Sequence, residues 1–199
     1  MLFRSIGLSG AVLQMFSHGI IAGLLFAVVG RMVYDRTHTR ALDELEVMRL
    51  SKAMPFAAVT FVVAGLASMG MPGFSGFVAE FQVLIGAWKA WPTFAVLAGL
   101  GILIGIAYTL RVVGKAFYSE TGEIGASKAL DHPHPCPLPQ EREKSPPVLE
   151  PITIPERIGA ALLIATTLLI GLYPRLLLDL IVPALNSPLM ARLLKGGGQ

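Results

Sequence analysis

The chain has 199 residues, of which 54% are hydrophobic and 15% are charged, whereas about a quarter of the residues of a soluble domain are charged. Residues 7–30, 54–88, 90–110 and 158–174 contain one charged side chain among them, Glu80. Apolar runs of this length are typical of transmembrane helices. The composition excludes a soluble enzyme, a secreted disulfide scaffold and a disordered chain, and it predicts an all-α polytopic membrane helix bundle.

Charge and cysteine content exclude further classes of protein. The net charge is +3, but the basic residues lie in short segments beside the apolar stretches, which is typical of membrane-flanking positions and not of nucleic-acid binding. The single cysteine, Cys136, cannot form an internal disulfide or complete a thiolate metal site. The sequence has no dinucleotide fingerprint and no phosphate-binding loop. We therefore expect no cofactor, no metal and no catalytic chemistry in this chain alone.

The first two apolar stretches differ in kind. Residues 7–30 are long enough for one tilted span, and a polar connector follows at 31–53. Residues 54–88 would form a helix of about 52 Å, well beyond the roughly 30 Å hydrocarbon core. Met71-Pro72-Gly73 interrupts this block with a proline and a glycine. We predict a discontinuous helix, with pieces near 55–70 and 75–88.

Two later segments predict further spans. The first runs from residue 93 to about 110, and the second occupies 153–174, where Thr153 and Glu156 have the spacing of a capping box. Residues 175–199 mix leucines with charges and prolines, which predicts an amphipathic tail at the membrane interface.

The segment between these two spans, residues 119–152, is rich in proline and predicts an extended or disordered soluble loop. It contains His132, His134 and Cys136. No carboxylate or second cysteine completes a ligand set there, so the sequence favours a plain loop over a metal site.

Glu80 is the main candidate for function. A carboxylate inside an apolar span is costly, and an intramembrane ionisable residue is a functional candidate by default. It lies one helical turn after Gly76 and shortly after the predicted break, where water can approach. We interpret Glu80 as a proton carrier. The alternative is a structural carboxylate paired with a lysine or arginine.

His18 and Gln14 are the next candidates for a proton pathway. They lie one turn apart on the same face of the first span, and histidine is the natural proton relay near neutral pH. The alternative for His18 is a neutral side chain bonded to a neighbouring helix. Five other polar residues fit interhelical contacts better than a proton path: Ser17, Ser68, Ser75, Tyr108 and Thr109.

Three segments carry a family resemblance: LQMFSHG at 13–19, the residues from LF at 25–26 to TR at 39–40, and ASMGMPGFSGFVAEF at 67–81. Together they resemble the antiporter-like subunits of proton-pumping NADH:quinone oxidoreductase (respiratory complex I). A glutamate at position 80 is similar to the subunit M (subunit 4) type, because the L and N types and the sodium/proton antiporter subunits generally have lysine there.

The resemblance implies a fold of inverted repeats, with broken helices at the membrane midplane. Residues 1–118 would form an antiporter-like transmembrane module, with Glu80 ending a proton channel and His18 on its polar axis. Family members are more than twice as long, so we expect the chain to be a C-terminal portion. Its partners would be the N-terminal half, adjacent antiporter-like subunits and the bilayer, in a bacterial inner membrane.

Two alternatives stay open from the sequence. One is a subunit of a related cation/proton antiporter or of a membrane-bound hydrogenase complex. The other is a structural fragment that does not pump protons.

Overall fold

The computed structural model describes residues 2–47, 50–118 and 150–188, and all regular structure within these ranges is helical. The prediction of an all-α fold is therefore confirmed. The helices are α1 (Leu2–Phe26), a π-helix that continues it (Ala27–Tyr34), α2 (Asp35–Thr37), α3 (Leu42–Val47), α4 (Leu50–Ala53), α5 (Pro55–Ser68), α6 (Ser75–Ala90), α7 (Pro92–Phe117), α8 (Ile154–Leu172) and α9 (Arg175–Leu185).

Three segments of the described chain are long and apolar enough to cross a membrane: Ser5–Thr37, Pro92–Phe117 and Ile154–Leu172. The first two are longer than the predicted spans, because the helices continue beyond the apolar residues into flanking charged ones. A shorter apolar helix, Pro55–Ser68, belongs to the block that was predicted to be broken.

The predicted break in that block is present. Helix α5 ends at Ser68 and α6 begins at Ser75. The N–H of Gly70 bonds to the carbonyl of Ala67 at 3.3 Å, and the N–H of Met71 bonds to that of Leu66 at 3.2 Å. Gly70 has a φ of +68°, so it occupies the left-handed position of a Schellman motif, which favours glycine. These two bonds satisfy backbone carbonyls in the last turn of α5 that have no partner further along a helix.

Helices α1 and α6 run antiparallel in close contact, with Gly7 beside Gly86 near one end and Ser17 bonded to Ser75 near the other. A Cβ at Gly10 would lie 2.7 Å from the Cβ of Gln82 and 2.9 Å from the backbone oxygen of Ala79. Glycine is therefore required for the two backbones to approach this closely, as at many helix contacts in membranes. This packing sets the polar residues of α1 against those of α6.

The largest hydrophobic core lies at the opposite end of α1 from Gly7. It joins the π-helix to α5, α7 and α8, and its members include Leu24, Val28, Met32, Leu50, Ala57, Ala64, Phe117 and Ala160. The last turn of α1 and the first turns of α5 and α8 are thereby held together at one face of the bundle.

At the same face of the bundle, every N–H group of the Arg36 guanidinium donates a hydrogen bond. Its Nε donates to the Glu150 carbonyl, Nη1 to the carbonyls of Arg31 and Met32, and Nη2 to the Pro151 carbonyl and to Glu156 Oε2 at 2.8 Å. A guanidinium has five N–H donors, so all five are used. The side chain is only 6% exposed.

Glu156 is held from both sides. Besides accepting from Arg36, its Oε2 accepts from the Thr153 N–H at 2.9 Å, and the reciprocal bond completes the predicted capping box. Because Arg36 belongs to α2, these bonds anchor the first turn of α8 to α2.

We expect Arg36→Lys to destabilise the protein by about 2 kcal/mol or more, because a lysine ammonium has three donors and cannot reproduce the planar fork. Thermal unfolding of the detergent-solubilised protein measures the effect. Arg31→Lys is the control, since the Arg31 side chain is 71% exposed and its exchange is expected to leave the unfolding midpoint unchanged. Equal midpoints for the two variants would contradict the role of Arg36.

Two predicted segments are described only in part. Residues 119–149 of the predicted proline-rich loop lie outside the described ranges, as do residues 189–199 of the tail. The described part of the tail forms α9, whose Leu177, Leu178 and Ile181 pack against Leu13, Ala79 and Ile170. An apolar face is therefore present, while the location of α9 at the membrane interface stays a prediction.

Candidate functional site

A cavity of about 300 Å³ with a mostly apolar lining lies among α1, α5, α6 and α7. Apart from its polar residues, its walls consist of apolar side chains and Gly76. The polar side chains that line it are Gln14, His18, Ser68, Glu80, Tyr108 and Thr109. The structure thus brings Glu80, His18 and Gln14, the three residues of the predicted proton pathway, to one place. Their role in proton movement stays a prediction.

Glu80 is half-buried in this cavity and is held by two neighbours. Gln14 Nε2 donates to Glu80 Oε1 at 3.5 Å, which is at the long end of the hydrogen-bond range. On the other side, the second oxygen, Oε2, lies so close to Gly70 that a Cβ at that position would collide with it. The turn that breaks the helix therefore forms one wall around the carboxylate.

The alternative that Glu80 pairs with a lysine or arginine finds no support in the described part of the chain. The residues that line the cavity include neither type. Two described basic residues have other partners: Lys115 lies near Asp43 and Glu46, and Arg40 lies over the ring of Tyr34, 4.2 Å from its centroid.

His18 lines the cavity but is exposed on the surface of this chain. Tyr108, on the α7 side of the cavity, is 63% exposed. Exposing polar groups to hydrocarbon costs free energy. The open side of the cavity is therefore better suited to contact with protein or water than with lipid.

Behind the cavity, three hydroxyl groups connect α1, α6 and α8 at the helix break. Ser17 Oγ lies 2.6 Å from Ser75 Oγ, and Ser75 Oγ donates to Thr167 Oγ1 at 3.3 Å. All three residues are fully buried. These hydrogen bonds avoid the free-energy cost of leaving the hydroxyl groups unpaired in the membrane interior. Ser17 and Ser75 thus make the interhelical contacts that the sequence favoured.

Helix α8 approaches the break through Gly171. A Cβ there would overlap the carbonyl oxygen of Gly73 and the backbone of Phe74. The absence of a side chain lets the end of α8 pack directly on the non-helical turn, and this packing shields backbone that has no helical partner.

We expect Gly171→Ala to lower the free energy of unfolding by about 1–3 kcal/mol, because backbone atoms cannot yield as a flexible side chain would. Gly159→Ala, in the same helix, is the matched control, since no atom lies within 4 Å of its added Cβ. It should be neutral or slightly stabilising because alanine favours helix. Thermal unfolding of the two variants tests this prediction. An unchanged midpoint for Gly171→Ala would contradict it, because it would show that α8 can move away from the break without loss of stability.

Sequence reasoning missed Thr167 and Gly171. Both lie in the stretch 158–174, which has no charged residue, so no nearby charge or motif marks either position. The only available signal for Thr167 was a pair of hydroxyl residues, Thr166 and Thr167, in mid-span.

The fold and the cavity define an integral membrane protein that holds a carboxylate beside a broken helix. Comparison with known proteins gives its family: the family described as "NADH:quinone oxidoreductase/Mrp antiporter, TM" matches residues 1–105. The chain belongs to this family, which confirms the resemblance found in the sequence.

Individual relatives agree. The chain is 45% identical over 123 residues to NAD(P)H-quinone oxidoreductase chain 4 1 of a Synechococcus strain, covering 58% of this chain and 23% of the relative. It is 35% identical over 178 residues to NADH-quinone oxidoreductase subunit M of Rhodobacter capsulatus, covering 89% of this chain and 30% of the relative. The chain therefore spans a third or less of the length of these two relatives.

A solved structure, respiratory complex I from Thermus thermophilus with bound NADH, contains a chain of similar fold. The TM-score is 0.72 at 28% identity, and the match covers 91% of this chain and 33% of that one. Nearly all of this chain is thus similar to part of a membrane subunit in a multi-subunit complex.

Proposed function

We propose that this chain is the C-terminal part of a subunit M-like component of NADH:quinone oxidoreductase and that it moves protons through a polar axis ending at Glu80. The observation that carries the proposal is a half-buried carboxylate beside a helix break, in a mostly apolar cavity that His18 also lines. The relatives named subunit M and chain 4 support this choice of parent complex.

In this mechanism, quinone reduction elsewhere in the complex changes the electrostatic field along the polar axis. The change alters the affinity of Glu80 for a proton, and Glu80 exchanges that proton with one side of the membrane through water near the break. His18 acts as the adjoining relay, since both side chains line the same cavity. The chain itself carries out no redox step.

We further propose that other membrane helices cover the open side of the cavity. His18 and Tyr108 are exposed there, and contact with lipid would leave their polar groups without hydrogen-bond partners. The parts of the relatives that this chain does not match would supply such helices, together with adjacent antiporter-like subunits. We propose a bacterial inner membrane as the bilayer, because the relatives include bacterial proteins.

The direct test measures proton pumping and NADH oxidation together in membrane vesicles that carry the complex with Glu80→Gln. Pumping at the wild-type rate would refute the proposal.

The second candidate is a subunit of a cation/proton antiporter, because the family description includes the Mrp antiporter. Glutamate at position 80 favours the oxidoreductase, since the antiporter subunits generally have lysine at this position. Neighbouring genes discriminate between the two: genes for the other oxidoreductase subunits support the first function, and genes for antiporter subunits support the second. Stop codons upstream, or the absence of an N-terminal half, would instead support a fragment that does not pump.

A further inference from the structure

Only one end of the Gln14 side-chain amide makes a hydrogen bond within the described residues. Its Nε2 donates to Glu80 Oε1 at 3.5 Å. Its Oε1 is buried and has no hydrogen-bond partner within the described residues. A buried acceptor without a partner is costly, so its presence beside a titratable group calls for a physical reason.

The two ends of the amide match the two forms of a carboxyl group. An ionised carboxylate only accepts hydrogen bonds, whereas a protonated one has an O–H that donates. Gln14 Nε2 is the correct partner for the first form, and Gln14 Oε1 is the correct partner for the second. A half-turn of the amide about its last side-chain bond exchanges the two ends without moving the helix backbone.

The other polar groups near Glu80 are already engaged or lie elsewhere on the cavity wall. Ser68 Oγ donates to the carbonyl of Gly65 at 2.9 Å. Ser17 bonds to Ser75, and Ser75 donates to Thr167. The remaining titratable groups of the lining are His18 on α1 and Tyr108 on α7, and α5 contributes none. Gln14 is the side chain that the described structure bonds directly to Glu80.

We propose that Gln14 is a positioning residue that turns its amide when Glu80 gains or loses a proton, donating to the carboxylate and accepting from the acid. This inference rests on the proposed function of Glu80 as the proton carrier. No proton is transferred to the amide; only the direction of one hydrogen bond reverses. Because Gln14 lies one turn from His18 on α1, the reversal changes the dipole beside the relay each time Glu80 is loaded.

The experiment is infrared difference spectroscopy on the assembled complex in vesicles, as pH is changed. The carbonyl band of protonated Glu80 is identified as the band that disappears in Glu80→Gln. In Gln14→Met, which keeps the length of the side chain but not its polar end, we expect this band to move to higher frequency because the acid has lost its acceptor. Pumping should fall by about fivefold, the effect of one hydrogen bond.

Three further variants separate this role from a structural one. Gln14→Asn withdraws the amide by one methylene and should shift the band as Gln14→Met does; it decides the question if Gln14→Met does not assemble. Gln14→Glu also presents an acceptor, so it should not move the band to higher frequency as Gln14→Met does. Gln82→Met removes an amide from the same α1–α6 contact, where Gln82 accepts from Ser9 at 3.3 Å, and should leave the band unchanged.

An unshifted band in Gln14→Met or Gln14→Asn would overturn the inference. A shift of equal size in Gln82→Met would also overturn it, by assigning the effect to general repacking. If Glu80→Gln pumps normally, the proposed function fails as well. If Glu80→Gln stops pumping while the Gln14 variants leave the band unmoved, only the role of Gln14 fails.

Discussion

Glu80→Gln is expected to reduce proton pumping by the assembled complex at least about tenfold, the scale on which a positioned proton-transfer group acts. Glutamine keeps the size and polarity of the side chain but cannot gain or lose a proton near neutral pH. NADH oxidation with an artificial acceptor should persist, because this step is proposed to take place outside this chain. Both rates are measured in the same vesicles, so that their ratio is independent of how much complex is present.

Glu44→Gln provides the matched control. It makes the same chemical change at an exposed residue of α3, and pumping should stay at the wild-type rate. If both variants lose pumping equally, the loss reflects a general effect of removing negative charge, and the assignment of Glu80 as carrier is contradicted.

Gly70→Ala is expected to impair pumping at least about fivefold, the effect of disturbing one hydrogen-bonded contact at the carrier. The added Cβ would collide with the Glu80 carboxylate, so the side chain must leave its position between the turn and Gln14. Alanine at a φ of +68° also costs about 1–2 kcal/mol of backbone strain. Pumping per assembled complex distinguishes the displaced carboxylate from reduced stability.

Gly73→Ala separates the two causes. Gly73 also has a positive φ, +102°, but an added Cβ there meets no atom within 4 Å. It should therefore lower stability while leaving pumping per complex largely intact. If pumping falls equally in both variants, backbone strain at the break would explain the loss, and contact with Glu80 would not.

The break itself was predictable from local chemistry. Proline at 72 cannot donate a helical hydrogen bond, and the 54–88 block is too long for one straight span. The capping box at Thr153 and Glu156 was equally local, because its two partners are three residues apart. Such features depend on neighbours in sequence, so the sequence contains all the information needed to find them.

The partners of Arg36 could not be predicted in this way. Its guanidinium bonds to Glu150, Pro151 and Glu156, more than 110 residues further along the chain. Basic residues after a membrane span are common, and nothing in the local sequence distinguishes Arg36, which is buried, from Arg31, which is exposed. Arg36 acquires these partners only because the start of α8 packs against α2 in the folded structure.

By itself, the sequence determined that this is a helical membrane protein with a broken helix and one carboxylate in its apolar stretches. Hydropathy, helix length and the chemistry of proline and glycine act over a few residues, so the order of amino acids is sufficient. The tertiary structure alone decided that Glu80 lies between Gln14 and Gly70 and that three hydroxyls meet behind it. Those contacts depend on how closely separate helices approach. Gly10 and Gly171 allow the close approach because neither has a Cβ that would collide with the neighbouring backbone.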